Sequence, residues 1–319
     1  MHNLGNSIYR DDSIGIIKAS GLEVLDLLNR LSTNDVVSLA PNEGKVTILT
    51  TDKGRIVDLI TVLNQQDHTI IITSPGAQTN VLSWIEKYTF LEDAEFSDLT
   101  PTLTLFSIIG PDVQKCLKKL IPDVNEPIEQ YRSIPFNINE SSAFIYKDGH
   151  HGVPRYNIVG DKNLSETFIL ESMQPRPTLI DSNTFEALRI NQGWPAYGHE
   201  LTETYNPLEA GLWGAISFNK GCYIGQEVIA RLDTYKKVQR HLVNLTIESN
   251  VEIIPGTKIA LNGHACGTVT SICKKPVNNV TDALGYVRRE MSVVGTKLNL
   301  VCDGSPDATV REIALPFGP

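Results

Sequence analysis

The sequence predicts an α+β chain in which a duplicated α+β part precedes a small all-β domain. Three observations carry this. A strand-to-helix unit at Gly21 returns at Gly110, a strand meander lies between the two, and the chain from Gln239 onward breaks into short β-patterned runs punctuated by Gly and Asn. The chain has 319 residues. Domains of roughly 100–200 residues allow two of them, or three.

The elements follow in order. Residues 14–19 read as a strand. Ser20 then reads as a helix N-cap with Glu23 as its capping-box partner, and Val24, Leu25, Leu28 and Leu31 follow at helical spacing until Asn34-Asp35. Residues 45–50, 56–63 and 69–73 form the meander, with turns at Asp52-Lys53-Gly54 and at 65–68. Ser74-Pro75 opens a helix carrying Val81, Trp84, Ile85 and Tyr88, because proline suits a first helical turn. Residues 103–109 are a strand, and GPDVQKCLKKL then repeats GLEVLDLLNRL. The matches are Gly21/Gly110, Glu23/Asp112, Val24/Val113, Leu28/Leu117 and Leu31/Leu120, at constant offset. Strands at 142–146 and 156–160, a helix over 183–191 stopped by Gly193, a loop over 194–206 and a helix near 226–232 complete this part. The tail runs HLVNLTI, TKIALN, GTVTSIC, DALGYVRR and KLNLVC, a barrel or sandwich pattern beginning near 233–239.

Composition excludes several classes. Lys plus Arg number 28 against 37 Asp plus Glu, a formal charge of −9. Dedicated nucleic-acid binders carry a basic surplus, so no direct nucleic-acid partner is expected. No apolar run reaches the roughly 18–20 residues of a membrane helix. The opening MHNLGNSIYRDD lacks a signal pattern, so a cytoplasmic protein without a membrane partner is expected. Cys116, Cys222, Cys266, Cys273 and Cys302 are odd in number and form no CxxC, which fits neither a disulfide framework nor a standard zinc site. Cys266 and Cys273, in the β tail, read as core residues. The pair His150-His151 and the isolated His199 and His264 suggest no metal site, and HExxH, GxSxG and P-loop patterns are absent.

The most informative stretch is FNKGCYIGQEVIAR, residues 218–231. Gly221 and Gly225 bracket a turn ahead of a helix, whose free N–H groups and positive dipole end favour an anion. Cys222 lies beside Lys220 and before that helix, two features that favour thiolate. A buried structural cysteine in a glycine turn is the other reading. Glu227 and Arg231 stand at ion-pair spacing. Asp58 stands out separately: period-two alternation sets it on one face with Ile56, Ile60 and Val62, where a carboxylate needs a partner or must be neutralised.

KGCYIGQE, spanning Lys220, Gly221, Cys222, Tyr223, Gly225, Gln226 and Glu227, resembles the signature of the YgfZ-type folate-binding proteins, in the superfamily of the glycine-cleavage T-protein, an aminomethyltransferase. SGLEVLDLLNRLSTNDV, LTTDKGRIVDLITV and LRINQGWPAYGHELTETYNPLEAGL resemble further family segments, and GTVTS, LGYVRRE and LPF resemble landmarks of its C-terminal barrel. The resemblance implies a three-domain cloverleaf around a central folate hole. Its first α+β domain would be discontinuous, 1–50 plus 140–235, with 51–139 as the second and 236–319 as the β-barrel. The implied cofactor is tetrahydrofolate or a folate derivative.

Residue by residue, the resemblance implies folate contact and catalysis for Asp58, where the family often has two adjacent acids and this chain has one. It aligns Asn191 with the glutamate that binds the pterin, and an amide accepts with one oxygen where a carboxylate offers two. It points to Phe185 for stacking, Glu200 in the G-x-E loop, Lys220 near the folate's acidic tail, and Arg231 facing the hole. Ordinary alternatives stand beside each: core for Phe185, a solvated loop acid for Glu200, a merely exposed lysine for Lys220.

The implied function is a folate-binding factor supporting iron–sulfur cluster assembly or repair in client enzymes, tRNA-modifying ones included, with Cys222 as the working thiol. The implied partners are folate and iron–sulfur client or assembly proteins. A folate-dependent aminomethyltransferase, with Asp58 acting on the amine, is the alternative. A folate-binding domain without chemistry of its own is a third.

Overall fold

A computed structural model describes residues 5–122, 126–138, 141–150, 152–273 and 279–317. The chain divides into two compact units. The first comprises Met1–Leu49, Asp58–Asp181 and Ala215–Ile224; the second comprises Thr50–Val57, Ser182–Gly214 and Gly225–Pro319.

Two sheets build most of the first unit, with the strand ends Thr50 and Ile56-Val57 assigned to the second. One has the order Gly44–Thr50, Ile56–Asn64, Thr69–Thr73, Gly15–Ser20, Glu95–Asp98. The other runs Thr178–Leu179, Ser7–Asp11, Leu103–Ile109, Arg155–Asp161, Ser141–Lys147, Ser133–Ile138, antiparallel except for its first pair. On the strand Ile56–Asn64 the predicted face of Ile56, Asp58, Ile60 and Val62 is fully buried, and Val57 and Leu63 of the opposite face are buried as well. The second sheet covers a core of Ile8, Phe106, Ile108, Ile145 and Ile158, with Val113 and Cys116 from the short helix Val113–Leu117.

The repeat has a conformational basis. Gly21 has φ +126° and Gly110 has φ +151°, and a Cβ at either would strike backbone, Asp93 in one case and Asn6 in the other. Both glycines follow a strand and lead to a helix, Val24–Leu31 or Val113–Leu117. The predicted capping box does not form. Ser20 ends its strand, paired with Glu95, and Glu23 makes no side-chain cap bond. Residue 93 takes over: the Glu23 N–H donates to the Asp93 carbonyl, and the Glu23 carboxylate accepts the Asp93 N–H. The helix predicted at Ser74-Pro75 starts at Gln78, because Gly76 at φ +73° and an Ala77 N–H bond to the Ser74 carbonyl first close a turn. Tyr88 lies beyond that helix but packs its ring 4.9 Å from Trp84.

The C-terminal strands of the second unit close a six-stranded barrel in the order Arg240–Glu248, Val280–Arg288, His264–Ile272, Lys258–Leu261, Lys297–Leu300, Asp307–Ile313. Val243, Leu245, Val269, Val287 and Val310 fill it, together with Cys266. Cys273 is only half-buried. Asp307–Ile313, which the sequence did not announce, closes the barrel by pairing with both Arg240–Glu248 and Lys297–Leu300. The helix Ser182–Asn191 ends two residues before Gly193, which has φ +72°. Among the described residues no helix is long and apolar enough to cross a membrane.

Candidate functional site

Asp58 is fully buried on its strand. Oδ2 accepts the Ser74 N–H at 2.9 Å, while Oδ1 has no hydrogen-bond partner among the described residues. Burial raises the carboxyl from its ordinary 3.8 to about 7, with bonds from Ser74 and Leu59 opposing. The sequence-based alternatives, partnered or neutralised, are therefore both half realised. Four residues past Ser74, Gln78 Oε1 is a second buried acceptor without a partner among the described residues. A buried polar atom left unpaired is costly, so Asp58 Oδ1 would be stabilised by a donor.

In the second unit, Asn191 bonds a separate acid of the barrel, while Glu200 belongs to a polar framework of its own. Arg189 on the helix Ser182–Asn191 is its hub: it donates to Glu200 Oε2 at 3.1 Å, to the Trp194 carbonyl at 2.6 Å, to Ser271 Oγ at 2.7 Å, and to the Glu186 carboxylate. Burial opposes the charge on Arg189, but the two carboxylates outweigh it and hold its pKa above the usual value. Glu200 is fully buried and also accepts from Ser271 Oγ at 2.7 Å and the Ala196 N–H at 3.0 Å. Its carboxylate is thus met by protein donors, and the solvated-loop reading is corrected: the G-x-E turn folds inward because Arg189 and Ser271 wait there.

Asn191 donates through Nδ2 to Asp282 Oδ2 at 3.1 Å, and Arg311 holds Asp282 Oδ1 at 3.0 Å. A glutamate at 191 would set a second carboxylate against Asp282. The amide is the residue that fits this barrel. Phe185 is half-buried on the same helix.

The KGC motif is split between the units. Tyr223 is buried and its ring lies 5.3 Å from Lys220 Nζ. Lys220 Nζ donates to three main-chain carbonyls, Asn29 at 2.6 Å, Ser32 at 3.0 Å and Asn34 at 2.6 Å. Burial lowers Lys220 to about 8, with Asp35 opposing and Lys45 adding to the fall. An exposed surface lysine is therefore not what stands at 220. Gly221 and Cys222 are exposed, which removes the buried-cysteine reading. The helix Gln226–Thr234 opens at Gly225, φ +84°, as the paired glycines predict. A Cβ there would sit 2.7 Å from the Thr51 carbonyl and 3.0 Å from Gly54 Cα. Gly225→Ala should destabilise the protein by about 2 kcal/mol in urea unfolding, from left-handed strain plus displaced backbone. Glu227 and Arg231, both exposed, do not form the predicted ion pair.

Sequence reasoning missed Ser74, Gln78 and Arg189. Arg189 carried a faint signal, as a cation on a helix that the sequence already marked. Ser74 and Gln78 matter through a backbone amide and a buried atom, for which residue type gives no sign. His151 lies outside the described residues.

The fold agrees with that of a known protein. The fold is that of an aminomethyltransferase T of the glycine cleavage system from Bartonella henselae: TM-score 0.83 at 18% identity, over 99% of this chain and 87% of that one. The GCVT N-terminal domain model matches residues 9–220, and the chain belongs to that family. A relative from Arabidopsis thaliana, named "Putative transferase At1g60990, chloroplastic", is 29% identical over 90% of this chain and 66% of its own length. The aminomethyltransferase of Thermotoga maritima is 24% identical over 95% of this chain and 84% of its own.

Proposed function

We propose that the protein binds tetrahydrofolate or a folate derivative and supports iron–sulfur cluster assembly or repair in client enzymes, tRNA-modifying ones included, through the thiol of Cys222. The observation that carries the folate part is Asp58, a fully buried carboxyl with one oxygen lacking a partner among the described residues. A reduced pterin is rich in N–H donors, and such a donor satisfies Oδ1. Ser74 fixes the other oxygen through its N–H, so Asp58 has a single orientation toward the ligand. With a pKa of about 7 it can hold or release a proton near neutrality. Folate, when bound, supplies a one-carbon carrier. The thiol part is supported by the exposure of Cys222. A cluster intermediate would be cargo, and a lone thiol needs ligands from a partner protein; iron–sulfur client or assembly proteins fill that role.

The finer architecture belongs to the same reading: a cloverleaf of 1–50 plus 140–235, 51–139 and 236–319 around the folate. Phe185 and Arg231 are the remaining proposed folate contacts. A cytoplasmic location suits five free thiols.

Tetrahydrofolate titration, read by fluorescence of Trp84, Trp194 and Trp213, tests the first part. Saturable binding should weaken at least about tenfold in Asp58→Asn. Cys222→Ser should retain folate binding while client iron–sulfur activity falls. If client activity is untouched and the wild-type protein transfers an aminomethyl carbon to tetrahydrofolate, the chain is an aminomethyltransferase instead.

A further inference from the structure

An ammonium group has three N–H donors and no acceptor. Lys220 Nζ meets three carbonyls at 2.6–3.0 Å, those of Asn29, Ser32 and Asn34. That uses its donors in full and leaves none for an anionic ligand. The carbonyls come from the last turn and exit of the helix Val24–Leu31, which strands them without intrahelical partners. A cation at a helix C-terminus also meets the negative end of its dipole. Asp35, the nearby acid, is not paired with Lys220 through its side chain; its carbonyl accepts from Lys45 Nζ at 2.9 Å.

The rest of the segment is tied to the same stretch. The Ser217 N–H donates to the Thr33 carbonyl, Thr33 Oγ1 donates to the Ala215 carbonyl, and the Ile224 N–H donates to the Arg30 carbonyl. Cys222 therefore lies midway between two anchors, the Lys220 ammonium and the Ile224 amide. Gly221 and Cys222 are exposed between them.

We infer that Lys220 is a positioning residue: its ammonium binds the exit of the helix Val24–Leu31 and so fixes the exposed loop that carries Cys222, and it makes no contact with the folate's acidic tail. This rests on the reading of Cys222 as the working thiol, and it deepens that reading by naming what holds the thiol still. Methionine at 220 keeps the apolar stem and loses every donor. Arginine keeps the charge, but its planar fork does not match three carbonyls gathered around one nitrogen.

The test uses the full chain with a nitroxide spin label on Cys222, assigned by the signal lost in Cys222→Ser. Alongside it run amide exchange at Ile224 and tetrahydrofolate titration of unlabelled protein. In Lys220→Met and Lys220→Arg the label should become mobile and Ile224 exchange should quicken roughly tenfold or more. Folate affinity should stay within about twofold. Two results overturn the inference. One is an unchanged label line shape in both variants. The other is folate affinity lost in Lys220→Met and kept in Lys220→Arg, which would make Lys220 a ligand for an anion. Neither readout depends on client activity, so a failed iron–sulfur role and a failed positioning role are separable.

Discussion

Asp58→Asn is expected to raise the melting temperature, and to raise it most at and above neutral pH. Unfolded, the carboxyl ionises near 3.8; folded, near 7. Between those values the folded chain keeps a proton that the unfolded chain has released, so the wild type loses stability as pH rises through that window. Each pH unit is about 1.4 kcal/mol, so the loss approaches a few kcal/mol by pH 7 and then levels off. Asparagine carries no charge to desolvate and keeps the acceptor for the Ser74 N–H. Thermal melts from pH 4 to pH 8 should give nearly equal values for both proteins at the acid end and a gap of several degrees at the alkaline end. A constant gap, or a variant that melts lower throughout, would mean that the buried carboxylate is not the source of strain. The same substitution should weaken folate binding. A gain in stability joined to a loss of binding is the signature of a group kept for function at a cost to the fold.

Glu200→Ala should do the reverse. It removes a fully buried carboxylate from Arg189, Ser271 Oγ and the Ala196 N–H at once. Breaking one side of a buried ion pair costs about 3–5 kcal/mol, because the remaining charge is left buried. Glu186 still neutralises Arg189 in part from the half-exposed side, which favours the lower end of that range. Urea unfolding followed at Trp194, whose carbonyl accepts from Arg189, should report the loss directly. A change below about 1 kcal/mol would mean that Glu200 faces water and is free for a ligand after all.

These expectations bear on what residue patterns can disclose. Period-two alternation found Asp58 because burial on a strand face is a local property, written in the neighbours Ile56, Ile60 and Val62. Helical spacing and glycine positions located the helices at 24 and 182, and the Gly21/Gly110 match survived as a shared left-handed turn. Ser20 misled because its side chain suits a cap, whereas the groups that serve the helix come from residue 93, about seventy positions later. Asn191 read as a deficit beside the family's glutamate until Asp282 supplied the reason, again from a distant strand. Lys220 read as a contact for the folate's acidic tail or as a merely exposed cation for the same reason: its partners, at 29–34, are far away in the chain. Local chemistry was legible; partnerships across long sequence separations were not.

The chain passes between its two units five times, and the segment Ala215–Ile224 returns to the first unit after a long excursion through the second. That has a consequence for synthesis. The helix Val24–Leu31 emerges from the ribosome early, while the lysine that receives its stranded carbonyls follows about 190 residues later. At 5–20 residues per second, that is a wait of roughly 10–40 s. Throughout it the helix exit is open, and the nascent chain relies on water or on an attending chaperone for what the ammonium later provides. The thiol loop is the last piece of the first unit to be made, so Cys222 reaches its tethered position only once the body that holds it is largely built.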